Sequence, residues 1–176
     1  MKYFESDRLI FRDWEKSDLE LFINMNKDSD VMKYFPNKLT SEESINFYQK
    51  IVDEFKKEGF GLYAVEYKED NQFIGFIGFH KANFEADFTP CIEIGWRLRK
   101  EYWNKGLATE GAKACLYYGF NQLNLKEIYS FTSKINTPSE NVMKKIGMKK
   151  LKEFDHPKVD SSSPLCKHVL YYIKAH

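Results

Sequence analysis

The residues Arg99 to Gly111, RKEYWNKGLATEG, set small and polar side chains at a helix start in a chain otherwise aromatic and charged. Between Asn104 and Thr109, Gly106 and Ala108 leave the backbone accessible, so successive N–H groups can face an anion. A strand-to-helix turn with small residues chosen for packing has the same composition, and both readings stand at this point. The spacing from Gly106 to Gly111 matches a P-loop, but Ala112-Lys113 follows where Lys-Ser/Thr is required. A dinucleotide fingerprint fails too, because Asn104 holds the place of its first glycine. A second polar helix entry, Asn136, Ser139 and Asn141, also follows a strand. Two parallel strands with such loops at their C-terminal ends would splay around an extended ligand.

In CIEIGWRLR, Ile92, Ile94, Trp96 and Leu98 alternate with Glu93, Gly95, Arg97 and Arg99. Glu93 therefore stands opposite the apolar face, as a candidate base or as a strand carboxylate paired with Arg97. His80, His156 and His168 form no metal or triad spacing and read as structural. Cys91, Cys115 and Cys166 are an odd, widely spaced set without metal-ligand pairing, best read as small apolar fillers. The basic run KKIGMKKLK reads as a solvated face, with Lys144 or Lys145 within reach of a phosphate.

Positioning these groups requires a mixed sheet. LIF (9–11) reads as a first strand. Ser17 with Glu20 and Thr40 with Glu43 have capping-box spacing, opening helices DLELFINMNK and one reaching about Lys57. The second carries an apolar stripe of Ile45, Tyr48, Ile51, Val52 and Phe55, and Gly59 stops it. A hairpin (60–84) and the CIEIGWRLR strand follow, then a helix from about Gly106 to Asn121 with Ala108, Ala112, Cys115 and Gly119 as a small-residue stripe. EIYSFTS is a strand, Thr137 (cap) and Pro138 open a short helix closed by Gly147, and two strands end the chain. The order predicts an α/β (α+β) fold with a strand–helix–strand crossover.

At 176 residues with 43% hydrophobic and 16% aromatic content, the chain reads as one ordered domain, residues 1–176. Its 27 Lys and Arg against 26 Asp and Glu leave no cationic excess for nucleic acid. No apolar run suits a membrane span or signal peptide, and with the cysteine usage this predicts a cytoplasmic protein.

Four segments in order resemble the GNAT superfamily of acetyl-CoA-dependent N-acetyltransferases, and within it the RimJ/RimL-like ribosomal-protein N-terminal acetyltransferases. They are SDRLIFRDWEKSDLELF, EIGWRLRKEYWNKGLATEGAKACLYYGF, NTPSENVMKKIGM and FDHPKVDSSSPLCKHVLYYI, spanning almost the whole chain. The resemblance implies a mostly antiparallel sheet of about seven strands, splayed between the fourth and fifth, with about four helices. It implies that acetyl-CoA is co-substrate, with no metal. Its pyrophosphate would rest on the turn Trp103, Asn104, Lys105, Gly106, Leu107 and Ala108, with Thr109 alongside. Trp103 stands where the family more often has Gln or Arg. The pantetheine arm would pair with Leu98, Arg99 and Lys100, the thioester carbonyl would meet a backbone N–H near Leu98, and Asn136 would contact the arm.

The implied reaction is direct attack of an amine on the thioester. Many members protonate the thiolate with a tyrosine four residues before the helix-ending glycine; here that residue is Met143. Ser139 is the candidate donor instead, and Glu93 the candidate base, with Glu93→Gln expected to slow turnover mostly below neutral pH. By analogy the acceptor lies between the connector bearing Tyr34 and Phe35 and the last hairpin's loop, Asp155 to Lys167. A peptide or protein N-terminal amine is the first expectation. A small amine such as a polyamine or an aminoglycoside, and a non-catalytic acyl-CoA-binding module, are the alternatives. A monomer or homodimer is expected, with neither nucleic acid nor membrane as partner.

Overall fold

A computed structural model describes residues 1–176. Its eight-stranded sheet has the order β1-β2-β3-β4-β5-β6-β8-β7, with β1 Lys2–Glu5, β2 Leu9–Arg12, β3 Leu62–Tyr67, β4 Gln72–Ala82, β5 Cys91–Leu98, β6 Glu127–Ser133, β7 Lys149–Asp155 and β8 Lys167–Lys174. Four α-helices accompany it: α1 Asp18–Lys27, α2 Ser41–Glu58, α3 Leu107–Asn121 and α4 Thr137–Lys145. The strand count corrects the expected seven. A turn in which Ser6 N–H donates to Leu9 O (2.9 Å) folds the N-terminal run back on itself, making β1 an edge strand paired with β2.

Every pairing is antiparallel except β5 with β6. That parallel pair is registered only at Glu93 and Tyr129, so the strands separate toward their C-terminal ends, as the splay required. Side-chain alternation gives the sheet two cores. Leu9, Phe11, Tyr63, Ile77, Phe79 and Ile94 pack with Ala112 and Cys115 of α3. Leu62, Ala64, Phe73 and Phe76 pack on the other face with Phe22 and Ile51 of α1 and α2. Glycine lets α3 sit this close: a Cβ at Gly111 would overlap Ile77 Cδ1, and one at Gly119 would fall 2.6 Å from Phe79 Cζ.

Local details depart from expectation where burial outweighs propensity. The box at Thr40 and Glu43 forms, with both reciprocal hydrogen bonds. That at Ser17 and Glu20 does not: Ser17 is helical and makes no cap hydrogen bond. Asp18 instead turns inward, accepting from Glu15 N–H (2.8 Å) and from both terminal nitrogens of Arg12 (2.9 Å each). Ile45 is 45% exposed, while Ser44 is fully buried and accepts from Asn26 Nδ2 (3.1 Å). Helix α4 is capped by Asn136 rather than Thr137, its Oδ1 accepting from Ser139 N–H. The thiols of Cys91, Cys115 and Cys166 are free and buried.

Candidate active site

The turn before α3 has the form an anion cradle needs. Asn104 (φ 59°) and Gly106 (φ 75°) both take the left-handed conformation, and Gly106 caps the helix without any side chain bonding its first N–H groups. The first hydrogen bond of the helix is Glu110 N–H to Gly106 O, leaving the amides of Leu107, Ala108 and Thr109 ahead of it pointing outward. One residue that sequence spacing had not singled out anchors this turn. Arg8, almost a hundred positions earlier, donates Nε to Glu110 (2.6 Å) and Nη1 to Lys105 O (2.9 Å). Its Nη2 lies 3.6 Å from where a Gly106 Cβ would be, which sets a guanidinium beside the cradle. The motif alone could not show this, because strand pairing and the docking of α3 bring Arg8 there.

Strand β5 leads into the turn. Arg99 N–H donates to Ile74 O of β4 (2.8 Å), so by alternation the Leu98 N–H faces away from β4, into the gap left by β6. Trp103 is 40% exposed and donates its indole N–H to Leu98 O (2.9 Å), folding the turn back over the strand end. Arg99 and Lys100 send their side chains elsewhere: Arg99 to Phe73 O (2.9 Å), Lys100 to Asp28 (3.2 Å) and Asp30 (3.4 Å). Lys105 extends over the rings of Tyr67 and Tyr102. Lys113 is exposed on α3, past the first turn.

Across the gap, Asn136 is buried, donates to Thr132 Oγ1 (3.0 Å) and holds the start of α4. Ser139 is half-buried in the first turn, with its hydroxyl unbonded to protein. Met143 is packed into the core, so its side chain presents no donor to the gap. Tyr171 reaches toward α4 and donates to Glu140 (2.7 Å).

Glu93, Gly95 and Arg97 share the face of β5 toward α1 and α2. Burial holds the Glu93 carboxyl at about 8, tempered by neighbouring His80. His80 pairs with Glu93 across β4 and β5, and its Nδ1 is held by Glu54 of α2 (2.9 Å), which raises the imidazole above its ordinary value. Arg97 does not pair with Glu93. Its Nη1 donates to Asn26 Oδ1 (2.9 Å), and Phe35, Phe76 and Phe47 surround the guanidinium at 4.5, 5.3 and 5.7 Å. Phe35 thus borders this face, while Tyr34 lies alongside under Lys33. On the last-hairpin side, Phe84, Phe131, Phe154, His156 and His168 form an aromatic cluster. Burial depresses both imidazoles, His156 to about 4. No group of three or more His, Cys, Asp and Glu side chains in the structure could hold a metal ion.

A helix N-terminus with unpaired amides beside a splayed parallel pair suits an extended anionic ligand such as acetyl-CoA, the co-substrate of the acyltransferase family that matches this chain. The acetyltransferase (GNAT) domain family matches residues 8–149, and the chain belongs to that family. The uncharacterized N-acetyltransferase YnaD of Bacillus subtilis is 35% identical over 148 residues, covering 84% of this chain and 83% of YnaD. Among solved structures, RimL, the ribosomal L7/L12 alpha-N-protein acetyltransferase in complex with coenzyme A, shares the fold with a TM-score of 0.80 at 13% identity, over 99% of this chain and 98% of RimL. So does the spermidine N-acetyltransferase of Vibrio cholerae, with CoA and spermine, at a TM-score of 0.75 and 20% identity over 95% of each chain. No helix is long and apolar enough to cross a membrane.

Proposed function

We propose that the chain is a single-domain N-acetyltransferase of the RimJ/RimL-like type, transferring acetyl to a peptide or protein N-terminal α-amine. The observation that carries this reading is the raised Glu93 carboxyl on the face of β5 toward α1 and α2, at the register where β5 still pairs with β6 and just before the gap opens. A base near 8 is matched to an α-amine, with its reference pKa of about 7.7–8.0, and poorly to a lysine or polyamine amine near 10.4. Bound acetyl-CoA supplies the acetyl thioester. The amides of Leu107, Ala108 and Thr109, with Arg8 nearby, hold the pyrophosphate, and the edge of β5 at Leu98 to Lys100 aligns the arm, with Asn136 on its other side.

A gap-facing backbone N–H near Leu98 donates to the thioester oxygen as negative charge develops there, a contribution of about 3–4 kcal/mol for one such donor. By alternation Trp96 N–H, two residues nearer Glu93, faces the gap as Leu98 N–H does. Glu93 takes the proton from the attacking nitrogen, directly or through water, with His80 opposite it on β4. Ser139 donates its proton to the departing thiolate. Tyr34 and Phe35 border the acceptor.

Free-thiol release measured with a panel of N-terminal peptides and small amines tests the reading. Peptides should exceed spermidine in kcat/KM; preference for spermidine or an aminoglycoside would reverse the acceptor assignment.

A further inference from the structure

Arg97 is a cation without an anion. No carboxylate lies within salt-bridge distance, and its neighbours are neutral: Asn26 Oδ1 on Nη1 and the faces of three phenylalanines. Carboxylates of α1, β3 and the connector after α1 are engaged elsewhere, Asp18 and Glu66 by Arg12, Asp28 and Asp30 by Lys100. Nε is buried with no partner, and Nη2 has no hydrogen bond to protein. Desolvation, uncompensated by any counter-charge, pulls the guanidinium down to about 10. A buried charge of this kind is strongly unfavourable unless something pairs it.

Space is available beside it. Gly95 lies between Arg97 and Glu93 on the same face, and a Cβ there would meet only Glu93 Oε1, at 3.6 Å. The face therefore reads, along β5, as carboxyl, open floor and guanidinium, with Phe35 and Phe47 at the guanidinium end. Four residues of extended strand separate the Cα atoms of Glu93 and Arg97 by about 13 Å.

We infer that this groove takes an amine that also carries a carboxylate several bonds away, the carboxylate on Nη2 of Arg97 and the amine toward Glu93. This rests on the reading of Glu93 as the residue facing the amine, and it narrows the acceptor class. The guanidinium fork suits a planar carboxylate. A polyamine would bring a second cation against it. The carboxylate can be an acidic side chain near a peptide N-terminus or the C-terminus of a short peptide.

Matched acceptors separate these sources: a peptide with Asp against Asn at its second or third position, and a short peptide against its C-terminal amide. For at least one pair, kcat/KM for the carboxylate should exceed the amide about tenfold or more, as expected for a charge-assisted contact. Arg97→Met, close in length and apolar, should abolish that preference while the acetyl-CoA dissociation constant, read by calorimetry, stays near wild type and shows the cofactor site intact. Calorimetric titration of the CoA-saturated protein with the same pairs gives a readout free of turnover, and the carboxylate member should bind more tightly only when Arg97 is present. Equal binding of carboxylate and amide, preference for spermidine, or equal losses for both members in Arg97→Met would overturn the inference. An unaltered pH profile in Glu93→Gln alongside an intact carboxylate preference would instead remove Glu93 from the mechanism and leave Arg97's role standing.

Discussion

Glu93 shows how far a residue's chemistry depends on its surroundings. Alternation in CIEIGWRLR was enough to put it opposite the apolar face, but an exposed strand carboxylate would titrate near 4.5, and burial places it at about 8. This reverses the expectation that Glu93→Gln acts mostly below neutral pH. The wild-type base is ionised chiefly above 8, so the deficit should be greatest at and above pH 8, about 10²-fold in kcat/KM. Below pH 7.5 the wild-type profile should fall as two groups protonate, base and α-amine, and the variant's as one. Linkage supplies an independent check. Between pH 4.5 and 8 folded Glu93 retains a proton that the unfolded chain has released, so this group's contribution to stability falls as pH rises through that window. Glu93→Gln should therefore gain stability relative to wild type as pH rises from 4.5 to 8, read as unfolding midpoints across pH. Ser139→Ala should lower kcat by about 10- to 100-fold with little change in acetyl-CoA KM, if its hydroxyl serves the leaving thiolate.

At the scale of elements, the proposed role of the turn from Asn104 to Thr109 runs through backbone amides, so its shape matters more than its side chains. Gly106 at φ 75° is the residue that sets it. Gly106→Val should strain the turn by about 1–2 kcal/mol and weaken acetyl-CoA binding at least as much, measured by calorimetry. Arg8→Met removes both the brace to Glu110 and Lys105 and the guanidinium beside Gly106. It should raise the acetyl-CoA dissociation constant several-fold, more at low than at high salt, while kcat at saturation changes little. The motif marked the turn; its brace lay out of sequence reach, because only the docking of α3 across β2 brings Arg8 to it.

For the whole molecule, two cores on opposite faces of one sheet hold the cradle and the acceptor groove in register. Helix α3 lies against β4 and β5 through glycine and alanine, which fixes the cradle's distance from the end of β5. Gly111→Leu should cost about 1–3 kcal/mol by overpacking against Ile77 and Leu9, seen as a lower midpoint in thermal denaturation.

Periodicity, glycine placement and cap spacing are local properties, and they carried the elements, the crossover and the cradle. Where local rules misled, a long-range partner had prevailed: Arg12 drew Asp18 inward against the Ser17 box, and Asn26 took Ser44 while Ile45 faced solvent. RKEYWNKGLATEG by itself left an ordinary turn open, and it was the resemblance carried by four segments in order that implied the co-substrate and the class of reaction from sequence. Tertiary structure decided what stands around them: Arg8 at the cradle, Met143 withdrawn into the core, Glu93 raised by burial and Arg97 left without a counter-charge. The physical reason is that desolvation and ion pairing depend on which distant residues share a space, and spacing along a chain does not encode that distance.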